Sequence, residues 1–304
     1  MYDTHYDLLT ILYVLKDNKE YIEKVIDDLN SNLVGLNANL YFMSKKEMEE
    51  ELKIKDKIDV SKMFKEALEL LKNKKLKQKI ILSIEGCDFI KDTKELEYLH
   101  SLGLKAILPV WNNENKYGSG IRTNKGLTKE GEKLIEKAID LGIAIDLSHA
   151  NENTFYGIIN VIKKSEKKVF CYASHSNIYE LQNNPRNLKI KELKALKEVG
   201  GYLGLVAYPP FITNSKENEK IKEEFLNHIS KAEEIMGIDR IMIATDNMEF
   251  YKPLNIPYVN SPFTSKTLKK DMESLLERKY EREDIDKIMY KNAIKLFEKL
   301  KKEI

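Results

Sequence analysis

Short, strongly apolar runs recur along this chain, and amphipathic stretches of helical period lie between them. A run that is apolar on every residue, not on alternate ones, suits a strand buried on both faces of a parallel sheet. These runs, with two β-rich segments of mixed polarity at the start of the chain, predict strands over Tyr2–His5, Gly35–Phe42, Ile80–Ile84, Ala106–Val110, Ala144–Leu147, Val169–Ala173, Tyr202–Val206 and Ile241–Thr245. The intervening pattern predicts helices over Ile22–Leu29, Val60–Leu71, Lys129–Leu141, Ile190–Val199, Ile221–Met236 and Ser265–Arg278, with a last one over Arg282–Lys301. The stretch Lys129–Leu141 is the clearest: Thr128 stands where an N-cap belongs, Leu134, Ile135, Ala138 and Leu141 form one face, and Gly142 follows as a stop. Eight strands alternating with helices predict a (β/α)8 TIM barrel, whose sites form at the carboxyl ends of the strands. No Pro/Gly-rich linker or repeat of solenoid period divides the chain, so residues 1–304 are expected to form one barrel domain closed by the final helix, 282–301. The long segment Trp111–Leu127 is expected to lie over the site.

What ends the apolar runs is chemically informative. The first gives way to His5 and Asp7, and the third stops at Glu85. The runs near residues 145 and 171 stop at His149 and His175, and the last at Asp246. One residue separates His5 from Asp7, so on extended chain both point the same way. Alone, that pair reads equally well as a polar surface turn, and Glu85 as an ordinary strand-end carboxylate. Together, imidazoles and carboxylates at the ends of several strands predict a divalent metal centre, with zinc favoured by the donor set and Glu85 able to bridge two ions.

Composition narrows the alternatives. Of 304 residues, 33% are charged and 42% apolar, which suits a globular protein with a full core. Fifty-one basic residues nearly cancel 49 acidic ones, leaving +2, so nucleic acid is not an expected partner. The lysine-rich stretches 72–75 and 299–302 read as solvated helix ends. No apolar run approaches the ~20 residues of a membrane span, and no secretion signal is evident. Two cysteines, Cys87 and Cys171, make no disulfide framework, so a cytoplasmic location is the expectation. His100 and His228 read as structural, and Cys87 as superfluous to a complete ligand set.

Longer motifs add a resemblance. Gly126-Leu127-Thr128-Lys129-Glu130-Gly131 leads into Leu141-Gly142-Ile143-Ala144-Ile145-Asp146-Leu147-Ser148-His149, and Ser174-His175-Ser176-Asn177 precedes Asn184-Pro185-Arg186-Asn187. With Asp3-x-His5-x-Asp7, Ile84-Glu85-Gly86 and Ala244-Thr245-Asp246, this order resembles the membrane (renal) dipeptidase family of zinc metallopeptidases, amidohydrolase-like barrels, over essentially the whole chain. The resemblance implies two Zn2+ ions, one on His5 and Asp7, the other on His149 and His175, bridged by Glu85. It implies hydrolysis of a dipeptide by a hydroxide held between the ions, with Asp246 handling the proton and the substrate's amine, and Arg186 pairing with its terminal carboxylate. Tyr208 and Trp111 are placed in the substrate pocket. The expected partner is a small dipeptide-like molecule with a free carboxylate; a homodimer is left open, and neither nucleic acid nor membrane is expected.

The chain also departs from the family. Where the family often carries a histidine that steadies the oxyanion, this sequence reads Leu108-Pro109-Val110-Trp111-Asn112. Loss of one oxyanion donor can cost ~10²–10³ in turnover, and Trp111 offers only an indole N–H. Tyr6 stands where asparagine is usual, Asp246-Asn247-Met248-Glu249 replaces an Asp-Phe-Asp-Gly pattern, and the terminal glycine-rich signature is reduced to Tyr290-Lys291-Asn292-Ala293. The five ligand positions are intact. The sequence therefore points to a dipeptidase. Its rivals are a related amidohydrolase acting on another small amide or a lactone, and a metal-binding pseudoenzyme whose pocket Trp111 has closed.

Overall fold

The computed structural model describes residues 1–50, 58–298 and 300. Eight parallel strands close into one barrel in chain order: β1 (Tyr2–Tyr6), β2 (Gly35–Tyr41), β3 (Lys79–Glu85), β4 (Leu104–Leu108), β5 (Ala144–Asp146), β6 (Cys171–Ala173), β7 (Tyr202–Val206) and β8 (Ile241–Ala244). Each expected strand is present to within a few residues at its ends. The helices form the outer layer, and the fold is a (β/α)8 TIM barrel. No described helix is long and apolar enough to cross a membrane.

The barrel bottom is filled by side chains, as its small bore requires. Tyr2, Ile81, Ala106, Ala144, Phe170, Tyr172, Tyr202 and Met242 meet there with Ala293, Leu296, Phe297 and Leu300 from the chain's end. The Phe297 ring stacks on Tyr2 at 5.4 Å and meets Tyr172 edge-on at 5.3 Å, so the last helix plugs the amino ends of the strands. That leaves the carboxyl ends open for chemistry. The last element is not one regular helix: Arg282–Asp286 and Asn292–Phe297 flank a π-helical turn over Lys287–Lys291. The expected last residue, Lys301, lies outside the described residues, as do Lys299 and Lys302 of the lysine-rich stretch.

The expected helix over Lys129–Leu141 runs Lys129–Asp140, and the Thr128 side chain caps it by accepting the Gly131 N–H at 3.0 Å. Gly142 follows in the left-handed region at φ +67. Helices over Leu8–Val14, Thr93–Ser101 and Glu152–Lys164 were not expected from the pattern. The first is almost wholly apolar, with no polar face to betray a helical period. The third holds Phe155, Ile158, Ile159 and Ile162, residue types that favour strands. Tertiary packing between barrel and solvent decides both.

Two glycines shape the site end. Gly86 follows Glu85 at φ +83, and a Cβ there would lie 2.1 Å from the Phe42 carbonyl oxygen. At Gly204 on β7 a Cβ would lie 2.0 Å from the Ser174 carbonyl oxygen, so only glycine lets the β6 end approach so closely.

Candidate metal centre

Every residue singled out from the sequence for the metal centre arrives at the open end of the barrel. His5 lies on β1 with Asp7 just beyond it, and Glu85 ends β3. His149 and His175 follow β5 and β6, and Asp246 follows β8. Continuous pairing of β2 with β3, from Gly35 opposite Lys79 to Tyr41 opposite Glu85, carries Glu85 to the rim.

The Glu85 carboxylate divides between two groups of side chains. Its Oε2 lies 3.0 Å from His5 Nε2, and that nitrogen is 3.9 Å from Asp7 Oδ1. Its Oε1 lies 3.0 Å from His149 Nε2 and 3.7 Å from His175 Nε2, and the two imidazole nitrogens are 2.9 Å apart. The clustering is also tight across the groups. Ligand atoms of His5, Glu85 and His175 lie within 4.8 Å of one another, as do those of His5, Asp7 and Asp246.

Residues fit a metal on physical grounds. Asp7 Oδ1 is buried without a hydrogen-bond partner, and His5 Nε2 makes no well-aligned hydrogen bond although Glu85 Oε2 lies 3.0 Å away, an expensive condition unless another species satisfies them. Burial lowers the His5 pKa, but the Glu85, Asp246 and Asp7 carboxylates outweigh it and raise it to about 10. Burial and the Arg186 charge lower His149 to about 3. Burial, then repulsion from Glu85, pushes Asp7 well above the usual carboxylate range. Such a cluster demands positive charge at its centre, and a divalent cation supplies it while using the neutral imidazoles as donors.

The backbone that carries these side chains is held by two buried aspartates. Asp3 Oδ1 accepts the backbone N–H groups of His5 at 3.1 Å and Thr245 at 3.0 Å, tying the ends of β1 and β8. Asp146 Oδ1 accepts those of Ser148 at 3.0 Å and Ser174 at 2.9 Å, tying β5 to β6. His149 and Asp246 adopt φ +65 and +47, a conformation costly for non-glycine residues and typical of functional positions whose surroundings enforce it.

A cavity of about 340 Å³ opens beside the cluster, within the range of small-ligand sites. Its lining includes Asp7, Glu85, His149 and Asp246 of the cluster together with Arg186, Tyr208 and Phe211. Arg186 is 4% exposed, donates from one terminal nitrogen to the His175 carbonyl at 3.0 Å, and leaves Nε without a partner. Burial lowers its pKa only to about 10, so it remains cationic at neutral pH. Trp111 forms wall, its ring 5.2 Å from Tyr41 and 5.9 Å from His149. The segment after it contributes Asn112, Ile121 and Arg122.

Sequence reasoning gave no role to Asn112, whose Oδ1 lies 2.8 Å from His149 Nδ1, nor to Tyr41 and Tyr251 in the cavity wall. Adjacency to Trp111 was the only signal for Asn112. The other histidines are structural: His228 accepts the Ile178 N–H at 3.1 Å and lies 3.0 Å from the Ile212 carbonyl, and His100 lies 3.0 Å from that of Leu104. The Cys87 thiol points instead at the Leu108 carbonyl, 3.4 Å away.

Comparison with known proteins identifies the family and the fold. A family model described as membrane dipeptidase, peptidase family M19, matches residues 38–303. An uncharacterized Klebsiella pneumoniae protein is 29% identical over 178 residues, 55% of this chain and 64% of its own length. An uncharacterized dipeptidase of Schizosaccharomyces pombe is 28% identical over 162 residues, 52% of this chain and 38% of its own. The chain thus spans less than two thirds of these relatives. A Rhodobacter sphaeroides metallo peptidase, solved with a phosphinate mimic of L-Ala-D-Ala, shares the fold with a TM-score of 0.77 at 21% identity, covering 98% of both chains.

Proposed function

The chain belongs to the membrane dipeptidase family, peptidase family M19, and from that premise we propose that it is a zinc-dependent dipeptidase. The observation that carries this reading is the split of Glu85, one carboxylate oxygen toward His5 and Asp7, the other toward His149 and His175. Those five side chains would hold two Zn2+ ions bridged by Glu85. When bound, the ions would lower the pKa of water at the site toward neutrality and polarise the scissile carbonyl.

The chain's own residues do the rest. Asp246 is buried against the cluster, and burial raises its pKa, which suits a carboxylate that takes a proton and returns it to the leaving nitrogen. Its charge also suits the substrate's free amine. Arg186 presents a buried cation with donor capacity to spare, and a terminal carboxylate answers both needs. Burial raises the Tyr208 pKa, so its phenol stays protonated and can donate to substrate.

The 340 Å³ cavity favours an enzyme over a binding protein with a closed pocket. Arg186 favours an acidic substrate over a neutral amide or lactone. The ligand of the Rhodobacter sphaeroides relative makes L-D as well as L-L dipeptides the compounds to test. Hydrolysis of L-L and L-D dipeptides by zinc-loaded protein is the expected result. Zinc-loaded protein that cleaves none of them, yet opens a lactone or a cyclic amide, would replace this reading.

A further inference from the structure

We propose that the Ser174 hydroxyl is a positioning group shared by both halves of the metal centre, orienting His5 and His175 together. This rests on the reading that these histidines hold metal. Ser174 Oγ lies 2.6 Å from His175 Nδ1 and 3.2 Å from His5 Nδ1. An imidazole that offers Nε2 to a metal carries its proton on Nδ1, and that N–H needs an acceptor to fix the ring. A hydroxyl oxygen has two acceptor sites, so one serine serves both rings. Its own O–H is then left free to donate to a neighbour. Ser148 Oγ stands 3.4 Å away as one such neighbour, and the Asn39 amide nitrogen lies 3.2 Å from His5 Nδ1, where turning the amide over presents its oxygen as a second acceptor for the same N–H.

The position of this hydroxyl is set from several strands. The Ser174 N–H is held by Asp146, and its carbonyl accepts the Thr4 hydroxyl at 2.7 Å. Gly204 leaves the room that lets β7 pass against it. His5 and His175 belong to different groups around Glu85. Loss of the hydroxyl therefore loosens a ligand on each side, and the affinities of both sites fall together.

The neighbouring Ser176 supplies a matched control. It is fully buried in the same segment, and its hydroxyl has no hydrogen-bond partner. The test compares wild type, Ser174→Ala and Ser176→Ala by chelator competition for each of two zinc equivalents, and by the visible spectrum of the Co2+-loaded forms. Ser174→Ala should weaken both equivalents by about 10–100-fold and shift the Co2+ bands, the usual effect of losing such a contact. Ser176→Ala should bind as wild type does. Wild-type affinity in Ser174→Ala, weakening of one equivalent alone, or an equal loss in Ser176→Ala would overturn the proposal. A wild type that binds no metal would instead sink the reading of the centre itself. A second measurement needs no variant: zinc-loaded wild type should show slowly exchanging Nδ1–H proton signals from both His5 and His175, and their absence would also overturn it.

Discussion

Replacing Arg186 with lysine keeps a cation in the pocket while removing the planar fork that grips a carboxylate at two points. One terminal nitrogen of Arg186 is already committed to the His175 carbonyl, and Nε and the remaining N–H groups are available to substrate. A lysine ammonium reaching the same place makes one charge-assisted contact instead of two. Such a contact is worth about 1.5–3 kcal/mol, so kcat/KM for a dipeptide should fall about 10- to 150-fold, mostly through KM. The wild type offers the complementary experiment. A C-terminal amide leaves the buried guanidinium without its anion, at about 2–5 kcal/mol, or roughly 30- to 4,000-fold in kcat/KM. Steady-state kinetics on one dipeptide and its amide, with both proteins, measures all four values. Equal rates of wild type on dipeptide and amide would refute the role of Arg186, and a loss in Arg186→Lys confined to kcat would refute the mechanism given for it.

Other predictions concern the pocket wall and the scaffold. Because Trp111 packs against Tyr41 and His149 as wall, Trp111→His should leave dipeptide turnover flat and zinc content unchanged; a gain approaching ~10²–10³ would show that a missing oxyanion donor limits the enzyme. Glu192, whose carboxylate caps the helix Ile190–Glu198 by accepting the Lys189 N–H, has its pKa raised by burial from 4.5 to about 6. A carboxyl raised by folding stabilises the fold when protonated, so this contribution is present below pH 4.5 and is lost as pH rises through about 6. Across that window, denaturant titrations should show wild type losing about 2 kcal/mol relative to Glu192→Gln. Parallel pH dependence in the two proteins would refute the assignment.

The barrel was legible because most of its strands are buried and read as short apolar runs between helices, with β1 and β2, which carry Asp3, Thr4, Asn37 and Asn39, placed by their position in the alternation. The helices Leu8–Val14 and Glu152–Lys164 were not, since a nearly all-apolar segment and one rich in β-branched and aromatic residues give no helical signature until packing is known. The candidate ligands were legible as a cluster because strand ends deliver His5, Glu85, His149 and His175 in turn. Their orienting partners were not. Asp3, Asp146 and Ser174 lie beside ligands in the sequence, but their contacts cross between strands up to 242 positions apart. Asn112 meets His149 only because the segment after Trp111 folds back along the rim, with Gly120 bridged to Ala150.

Zinc content of chelator-free protein tests the central claim most directly, with Glu85→Gln measured beside the wild type. A carboxylate whose two oxygens face two ligand groups predicts about two zinc ions per chain, and a clear loss when an amide replaces it. A wild type that carries no metal and neither binds nor is stabilised by added zinc would contradict the account, as would a Glu85→Gln variant that keeps both ions.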